Sequence, residues 1–129
     1  MKFADNKVIY KELSYELVGI LFEVYNELGY GYKEKYYEEA IAESLTKHDI
    51  KFKRQVPYAI KFKDKLIGKK FLDFLIEEKI ILEIKRGNYF TKGNVQQVNE
   101  YLKVTNLKLA ILANFTSNGV KFLRLLNIK

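Results

Sequence analysis

The sequence predicts a single α/β domain in which two helices precede a mixed sheet, and three observations support this fold class. A chain of 129 residues has the size of one ordinary domain, which buries about two thirds of its unfolded surface. Residues 6–47 carry apolar side chains at helical spacing, whereas residues 50–62 follow the period of two that is typical of strands. A third helix pattern then lies between strand patterns, so that helices and strands are mixed along the chain.

The predicted order is α-α-β-β-β-α-β-β within one domain that spans residues 1–129. Gly29-Tyr30-Gly31 ends the first helix, and period two places Phe52, Arg54 and Val56 on one face of the first strand. Pro57 favours an edge position or a bulge over a central strand. The predicted helices span residues 6–28, 33–47 and 93–104, and the predicted strands span residues 50–62, 66–76, 79–85, 107–113 and 120–126.

The composition excludes several kinds of functional site. The chain has no cysteine, which excludes disulfides, thiolate zinc sites, iron–sulfur clusters and a cysteine nucleophile. His48 is the only histidine, so a Ser-His-Asp triad and a histidine-based zinc site are both disfavoured. Because there is no apolar run of signal-peptide or membrane-span length, we expect a cytoplasmic protein with no membrane partner.

The formal charge of +7 is concentrated in the later part of the chain. Residues 1–45 hold nine acidic and five basic residues, whereas residues 46–129 hold seven acidic and eighteen basic ones. This asymmetry suits a polyanion partner, although a solvated lysine-rich surface produces the same pattern. We expect most lysines of the strands at 50–76 to be solvated, and Arg86 and Lys92 to contact phosphates.

Asp73 interrupts the most apolar strand of the chain. A hairpin loop of three residues at 77–79 would place Asp73 opposite Glu83, with Cβ atoms about 4.5–5.5 Å apart. Glu83 and Lys85 are two positions apart and therefore point to the same side of their strand. Two facing carboxylates need a cation, and Mg²⁺ or Mn²⁺ prefers such oxygen ligands. Alternatively, Asp73 and Glu83 are ordinary strand-end charges that pair with nearby lysines.

Four motifs in a fixed order carry a family resemblance. Residues 31–37 read G-x-x-E-x-x-Y, residues 72–76 read LDFLI, residues 81–85 read ILEIK, and residues 97–101 read Q-x-x-x-Y. With these motifs the chain resembles the GxxExxY protein family of the PD-(D/E)xK nuclease superfamily, over about residues 13–125. Leu72 stands where the superfamily name has proline, a position that performs no chemistry.

The resemblance implies a restriction-endonuclease-like αβββαβ core, whose central mixed sheet is flanked by helices, with an extra N-terminal helix. It also implies a nuclease that hydrolyses phosphodiester bonds of DNA or RNA with Mg²⁺ or Mn²⁺. The metal would be held by Asp73, Glu83 and the backbone carbonyl of Ile84. The residues with an implied catalytic role are Glu34, Asp73, Glu83, Lys85, Gln97 and Tyr101. Gln97, together with Arg86 and Lys92, is expected to contact nucleic acid.

Some alternatives remain open at this point. A module that retains the nuclease fold and binds nucleic acid or protein without turnover is the alternative function. Gln97 and Tyr101 are equally well explained as structural residues, with satisfied polar groups in the core. Glu34 should reach the cleft of Asp73 from the start of its helix. A homodimer would match the paired sites of many small nucleases in this superfamily, although the sequence does not demand one.

Overall fold

A computed structural model describes residues 9–128, and these residues form three helices and five strands in the predicted order. The helices are α1 (Lys11–Leu28), α2 (Glu34–Lys47) and α3 (Lys92–Thr105). The strands are β1 (Phe52–Phe62), β2 (Lys65–Ile76), β3 (Ile80–Arg86), β4 (Leu109–Thr116) and β5 (Gly119–Leu126). Residues 6–8 of the predicted first helix lie outside the described residues, and Ile9 and Tyr10 form a turn before α1.

The five strands form one mixed sheet in the order β1-β2-β3-β4-β5. β3 and β4 are parallel, and every other neighbouring pair is antiparallel. A parallel pair needs a crossover connection, which α3 supplies. β1 is an edge strand, as Pro57 predicted.

Different helices cover the two faces of the sheet. Helices α1 and α2 cover one face, where Leu21, Tyr37 and Ile41 belong to the same buried cluster as Leu82 of β3. Helix α3 covers the other face through a second cluster, which includes Val98, Tyr101 and Leu102. The central strands are therefore buried on both sides, which explains their nearly uninterrupted apolar sequences. None of the helices within the described residues combines the length and apolarity needed to cross a membrane.

The regular alternation of β1 breaks at Gln55. Phe52 packs against the cluster under α1 and α2, whereas Val56 packs against the cluster under α3. Gln55 lies between them with φ of 50°, in the left-handed region that residues with a side chain rarely adopt. Such a residue rotates the strand, so the side chains after it change faces. The prediction that Phe52, Arg54 and Val56 share a face is therefore wrong at Val56.

β2 changes faces at the matching position. Arg54 pairs with Phe74 and Val56 with Leu72, so Gln55 lies opposite Asp73. Phe74 belongs to the cluster under α1 and α2, and Leu72 to the cluster under α3. Asp73 therefore lies at the position where the side chains of both strands change from one face of the sheet to the other.

Candidate active site

The β2–β3 hairpin has the register that the sequence predicts. Ile76 pairs with Ile80, and Phe74 pairs with Leu82. The loop at residues 77–79 thus has three residues, and both glutamates in it adopt the left-handed conformation, with φ of 53° and 59°. One step further along the two strands, Asp73 and Glu83 come together where the regular pairing ends.

Asp73 and Glu83 are joined by two reciprocal hydrogen bonds between side chain and backbone. The N–H of Asp73 donates to Glu83 Oε1 at 3.0 Å, and the N–H of Ile84 donates to Asp73 Oδ2 at 2.9 Å. Each carboxylate thus binds the backbone of the opposite strand in place of a ladder carbonyl. The predicted juxtaposition is present, although it is built by side chains and not by a backbone pair.

The second oxygen of each carboxylate has only a long contact. Gln55 Nε2 lies 3.5 Å from Asp73 Oδ1, and the hydroxyl of Tyr101 lies 3.5 Å from Glu83 Oε2. Both distances exceed the usual hydrogen-bond range. Asp73 Oδ1 and Glu83 Oε2 therefore retain most of their capacity to bind a ligand.

The ionisation of these carboxylates is opposed by their surroundings. Glu83 is 2% exposed, and burial raises its pKa to about 8, with a further increase from the charge of Asp73. Burial also raises the pKa of Asp73, against the effects of the Ile84 N–H and the Lys85 charge. A divalent cation would favour the charged form of both carboxyl groups, because it adds positive charge to that of Lys85, which alone does not offset the cost of burying two carboxylates.

These donors fit an ion of the magnesium type. Within residues 9–128, no group of three Asp, Glu or His side chains is arranged to hold a metal ion by itself. Magnesium does not require such a group of three side chains, because it is commonly held by one or two carboxylates and keeps waters or phosphate oxygens in its remaining positions. The two underused carboxylate oxygens meet this need. The Ile84 carbonyl remains a predicted third donor.

Helix α2 brings a carboxylate that the sequence analysis missed. Burial raises the pKa of Glu38 to about 7, and the charge of Asp73 adds to this shift. Glu38 in turn contributes to the raised pKa of Glu83. Its Oε1 lies 3.8 Å from the Arg54 guanidinium, so a cation of β1 partly compensates it. Glu38 therefore neighbours the Asp73–Glu83 pair electrostatically.

Glu34, for which the motif implies a site role, is the first residue of α2 and is half-buried. Its charge raises the pKa of Glu38, one helical turn further on. The two glutamates lie on the same face of the helix because they are four residues apart. This spacing is the sequence signal from which Glu38 was identifiable.

Helix α3 brings Tyr101 directly to the site. Tyr101 is buried, and its hydroxyl lies 3.3 Å from the Phe71 carbonyl as well as 3.5 Å from Glu83 Oε2. Burial raises the pKa of this phenol, so it stays protonated and able to donate. Gln97, one turn earlier, is half-buried, and Lys92 is exposed at the start of the helix. The capping box of Thr91 fixes that start.

Asn114 is a second residue that the sequence analysis missed. It lies beside Lys85 in the parallel β3–β4 register, so their side chains share one face of the sheet. Asn114 is 1% exposed, and its Oδ1 has no hydrogen-bond partner among the described residues. Its signal was a polar residue in an apolar strand, the same signal that drew attention to Asp73. The predicted strand ended at residue 113, whereas β4 continues to Thr116.

Comparisons with known proteins bear on the fold and the family of the chain. No curated protein matches the chain. A solved structure described as "Crystal structure of SSO0001" is similar to it, with a TM-score of 0.59 and 17% sequence identity over 74% of this chain and 50% of the other. The present chain thus spans half the length of that protein, and the likeness shows the fold alone. A sequence profile described as the PD-(D/E)XK nuclease superfamily matches residues 11–124. The chain belongs to this superfamily, and its sheet flanked by helices is of the restriction-endonuclease-like type.

Proposed function

We propose that this protein is a nuclease of the GxxExxY family that hydrolyses phosphodiester bonds of DNA or RNA with Mg²⁺ or Mn²⁺. Superfamily membership supports a phosphodiesterase with a nucleic-acid substrate. The observation that carries the proposal is the reciprocal bonding of Asp73 and Glu83, at 3.0 Å and 2.9 Å. It holds two carboxylates side by side while one oxygen of each stays available, as a shared metal ligand requires.

In this proposal, Asp73, Glu83 and the Ile84 carbonyl hold the ion, which would supply positive charge beside the scissile phosphate. Tyr101 places its hydroxyl 3.5 Å from Glu83 Oε2 and 3.3 Å from the Phe71 carbonyl, so it borders the proposed ion site while the Glu83 oxygen stays available. Glu34 and Glu38 add negative charge from α2, which strengthens the attraction for a cation. The chain itself therefore provides both the ligands and the field that favours their occupation.

Lys85 would compensate the two carboxylates in the metal-free protein and act on the substrate once the ion is bound. It is half-exposed and follows the Glu83 ligand by two residues on the same strand face. Its ammonium either orients the attacking water or stabilises the charge that develops on the phosphate. Gln97 would contact the substrate or support Lys85 from α3, and the exposed Arg86 and Lys92 would bind phosphates outside the reacting centre.

A cleavage assay on labelled single-stranded and duplex DNA and RNA, with Mg²⁺, Mn²⁺ or EDTA, tests the proposal. Asp73→Asn should abolish cleavage because it weakens the metal site while nearly preserving side-chain size. Asp64→Asn is the matched control, since Asp64 is exposed in the β1–β2 turn. Failure of the parent to cleave any of these substrates, with intact binding, would favour the alternative of a binding module without turnover.

The association state is a separate proposal. We propose a homodimer, by analogy with small nucleases of the superfamily that pair their sites. Sedimentation velocity over a range of protein concentrations, with and without nucleic acid, tests this point. A single species of monomer mass under all these conditions would overturn it.

A further inference from the structure

Three tyrosines form an exposed aromatic surface at the junction of α1 and α2. Tyr30, Tyr32 and Tyr36 are 40%, 44% and 49% exposed. Large rings are usually buried for most of their area, and neighbouring exposed rings commonly mark a binding surface. We refer to these three residues as the tyrosine platform.

The platform rests on a rigid support. Tyr37 is fully buried beneath it and stacks on Phe115 of β4, with ring centroids 4.1 Å apart and planes 7° apart. The Tyr37 hydroxyl donates to the Gly29 carbonyl at 2.6 Å and accepts from the Tyr32 N–H at 3.4 Å. The Tyr32 ring also forms T-shaped pairs with the rings of Tyr36 and Tyr37, at 6.2 Å and 6.1 Å between centroids. A ligand would therefore find this surface already ordered, which lowers the entropic cost of binding.

Arg86 places the platform beside β3, the strand that carries two residues of the candidate active site. Its guanidinium carbon lies 5.7 Å from the centre of the Tyr30 ring, a cation–π distance. Arg86 ends β3, directly after Lys85, and pairs with Phe115 of β4. The tyrosine platform thus lies beside the carboxyl end of β3, the strand that carries Glu83 and Lys85.

The platform is fringed by positive charge. Lys33 and Lys35 belong to the same segment, and Lys35 Nζ lies 5.3 Å from the centre of the Tyr36 ring. Neither lysine, nor Arg86, forms an ion pair with another residue in the described part of the chain. Exposed rings that carry cations on their faces and edges are the combination by which proteins bind single-stranded nucleic acids, with bases on the rings and phosphates on the cations.

We propose that the tyrosine platform stacks unpaired bases, so that the protein engages single-stranded nucleic acid, including frayed ends and flaps, in preference to uninterrupted duplex. Bases inside a duplex are already stacked on one another and present only their edges to a protein. This proposal rests on the proposed nuclease function, for which it names the substrate class. Binding without metal is nevertheless measurable apart from cleavage.

Fluorescence anisotropy in EDTA tests the proposal with the full chain. The probes are a short labelled single-stranded DNA, the same strand annealed to its full complement as a blunt-ended duplex, and a matching strand with abasic sugars. The parent should bind the single strand more tightly than the duplex, and Tyr30→Ala, Tyr32→Ala or Tyr36→Ala should each weaken that binding by about tenfold. Tyr15→Ala is the matched control, because Tyr15 is 82% exposed on α1, away from this segment.

The abasic strand separates stacking from charge. It should bind parent and tyrosine variants equally, because it retains phosphates but offers no bases. Thermal unfolding verifies that each variant is folded. If an alanine variant is unfolded, the leucine variant at the same position (Tyr30→Leu, Tyr32→Leu or Tyr36→Leu) takes its place, because leucine keeps apolar volume without an aromatic face.

Two results would overturn the platform proposal. The first is that the tyrosine variants bind the single strand as tightly as the parent, which would point to a protein partner for these rings. The second is that the parent binds the duplex more tightly than the single strand. Either result leaves the nuclease proposal standing if metal-dependent cleavage is found. Conversely, the parent protein could bind single strands without cleaving any substrate while the tyrosine variants lose that binding. This result would support the platform proposal and refute the nuclease proposal.

Discussion

Glu83 accepts a hydrogen bond from the backbone N–H of Asp73 at 3.0 Å, so one site carboxylate holds the strand that carries the other. The Asp73 carboxylate in turn accepts a hydrogen bond from the backbone N–H of Ile84 at 2.9 Å. Strand geometry and carboxylate geometry are thereby coupled, since neither side chain can turn away without leaving a backbone N–H of the opposite strand unpaired. The site is built into the sheet and does not depend on a loop for its position.

The stability of the metal-free protein should fall as pH rises toward 8. The pKa of Glu83 is about 8 in the folded protein and near 4.5 when unfolded, so between these values the folded state holds a proton that the unfolded chain has released. The stabilising contribution is complete below the unfolded pKa and is lost as pH rises through the folded one. Glu38, with a pKa raised to about 7, acts in the same direction.

Urea denaturation in EDTA between pH 5 and pH 8.5 measures this effect. The range covers about the window between the unfolded pKa of Glu83, near 4.5, and its folded pKa of about 8. Glu83→Gln should flatten the dependence because its amide does not titrate, and saturating Mg²⁺ should flatten it in the parent because the ion favours the ionised pair. A parent protein that becomes more stable toward pH 8 without metal would contradict the burial argument.

Lys85→Ala should leave metal affinity largely intact while cleavage falls by about two or more powers of ten, the usual scale for a lost transition-state contact. The metal compensates Asp73 and Glu83 when it is bound, so Lys85 is then needed for chemistry alone. Calorimetry with Mn²⁺ and a single-turnover assay measure the two quantities. Lys79→Ala is a suitable control, because Lys79 is exposed in the loop of the same hairpin. A Lys85→Ala variant that cleaves at the parent rate would remove this lysine from the mechanism.

At position 55, glycine should be more stable than alanine by about 1 kcal/mol, the reverse of the order expected in a strand, because a side chain is strained at φ of 50°. Both substitutions remove the 3.5 Å contact with Asp73, so their difference isolates the backbone effect. Urea denaturation of Gln55→Gly and Gln55→Ala measures it. A more stable alanine variant would show that the change of faces opposite Asp73 does not require the left-handed conformation.

Asn114→Leu should raise the free energy of unfolding by about 1 kcal/mol or more. An unpaired buried acceptor costs about 1–3 kcal/mol, and leucine of similar size fills the same space without one. Because Asn114 lies beside Lys85, we also expect slower cleavage, since the lysine loses a neighbouring acceptor. Chemical denaturation and single-turnover cleavage would record these opposite effects, and a variant that loses stability would show that the Asn114 amide is satisfied in solution.

The sequence predicts the parts of the site that depend on local geometry. A three-residue hairpin loop determines which residues of β2 and β3 face each other, so the Asp73–Glu83 juxtaposition follows from counting. Strand periodicity likewise places Lys85 on the same side as Glu83. The edge position of β1 followed from Pro57, because proline has no N–H to donate to a second neighbour.

Other features depend on tertiary arrangement and were not predictable in this way. Glu38 contributes to the site because α2 lies against β3. Its spacing from Glu34 places both glutamates on one face of the helix, but the sequence does not show that this face lies near Asp73. The left-handed conformation of Gln55 has no signature in its sequence neighbours, so simple alternation assigned Val56 to the wrong face. Asn114 became significant only when β4 was paired with β3 beside Lys85.

The central claim is that Asp73 and Glu83 together hold the ion on which cleavage depends. The most direct measurement titrates Mn²⁺ into the parent, Asp73→Asn and Asp64→Asn proteins, and records bound manganese by electron paramagnetic resonance and cleavage rate in the same samples. In the parent and in Asp64→Asn, both quantities should rise and saturate together, whereas Asp73→Asn should show neither. Cleavage that proceeds without bound manganese, or an Asp73→Asn protein that binds the ion and cleaves like the parent, would contradict the account.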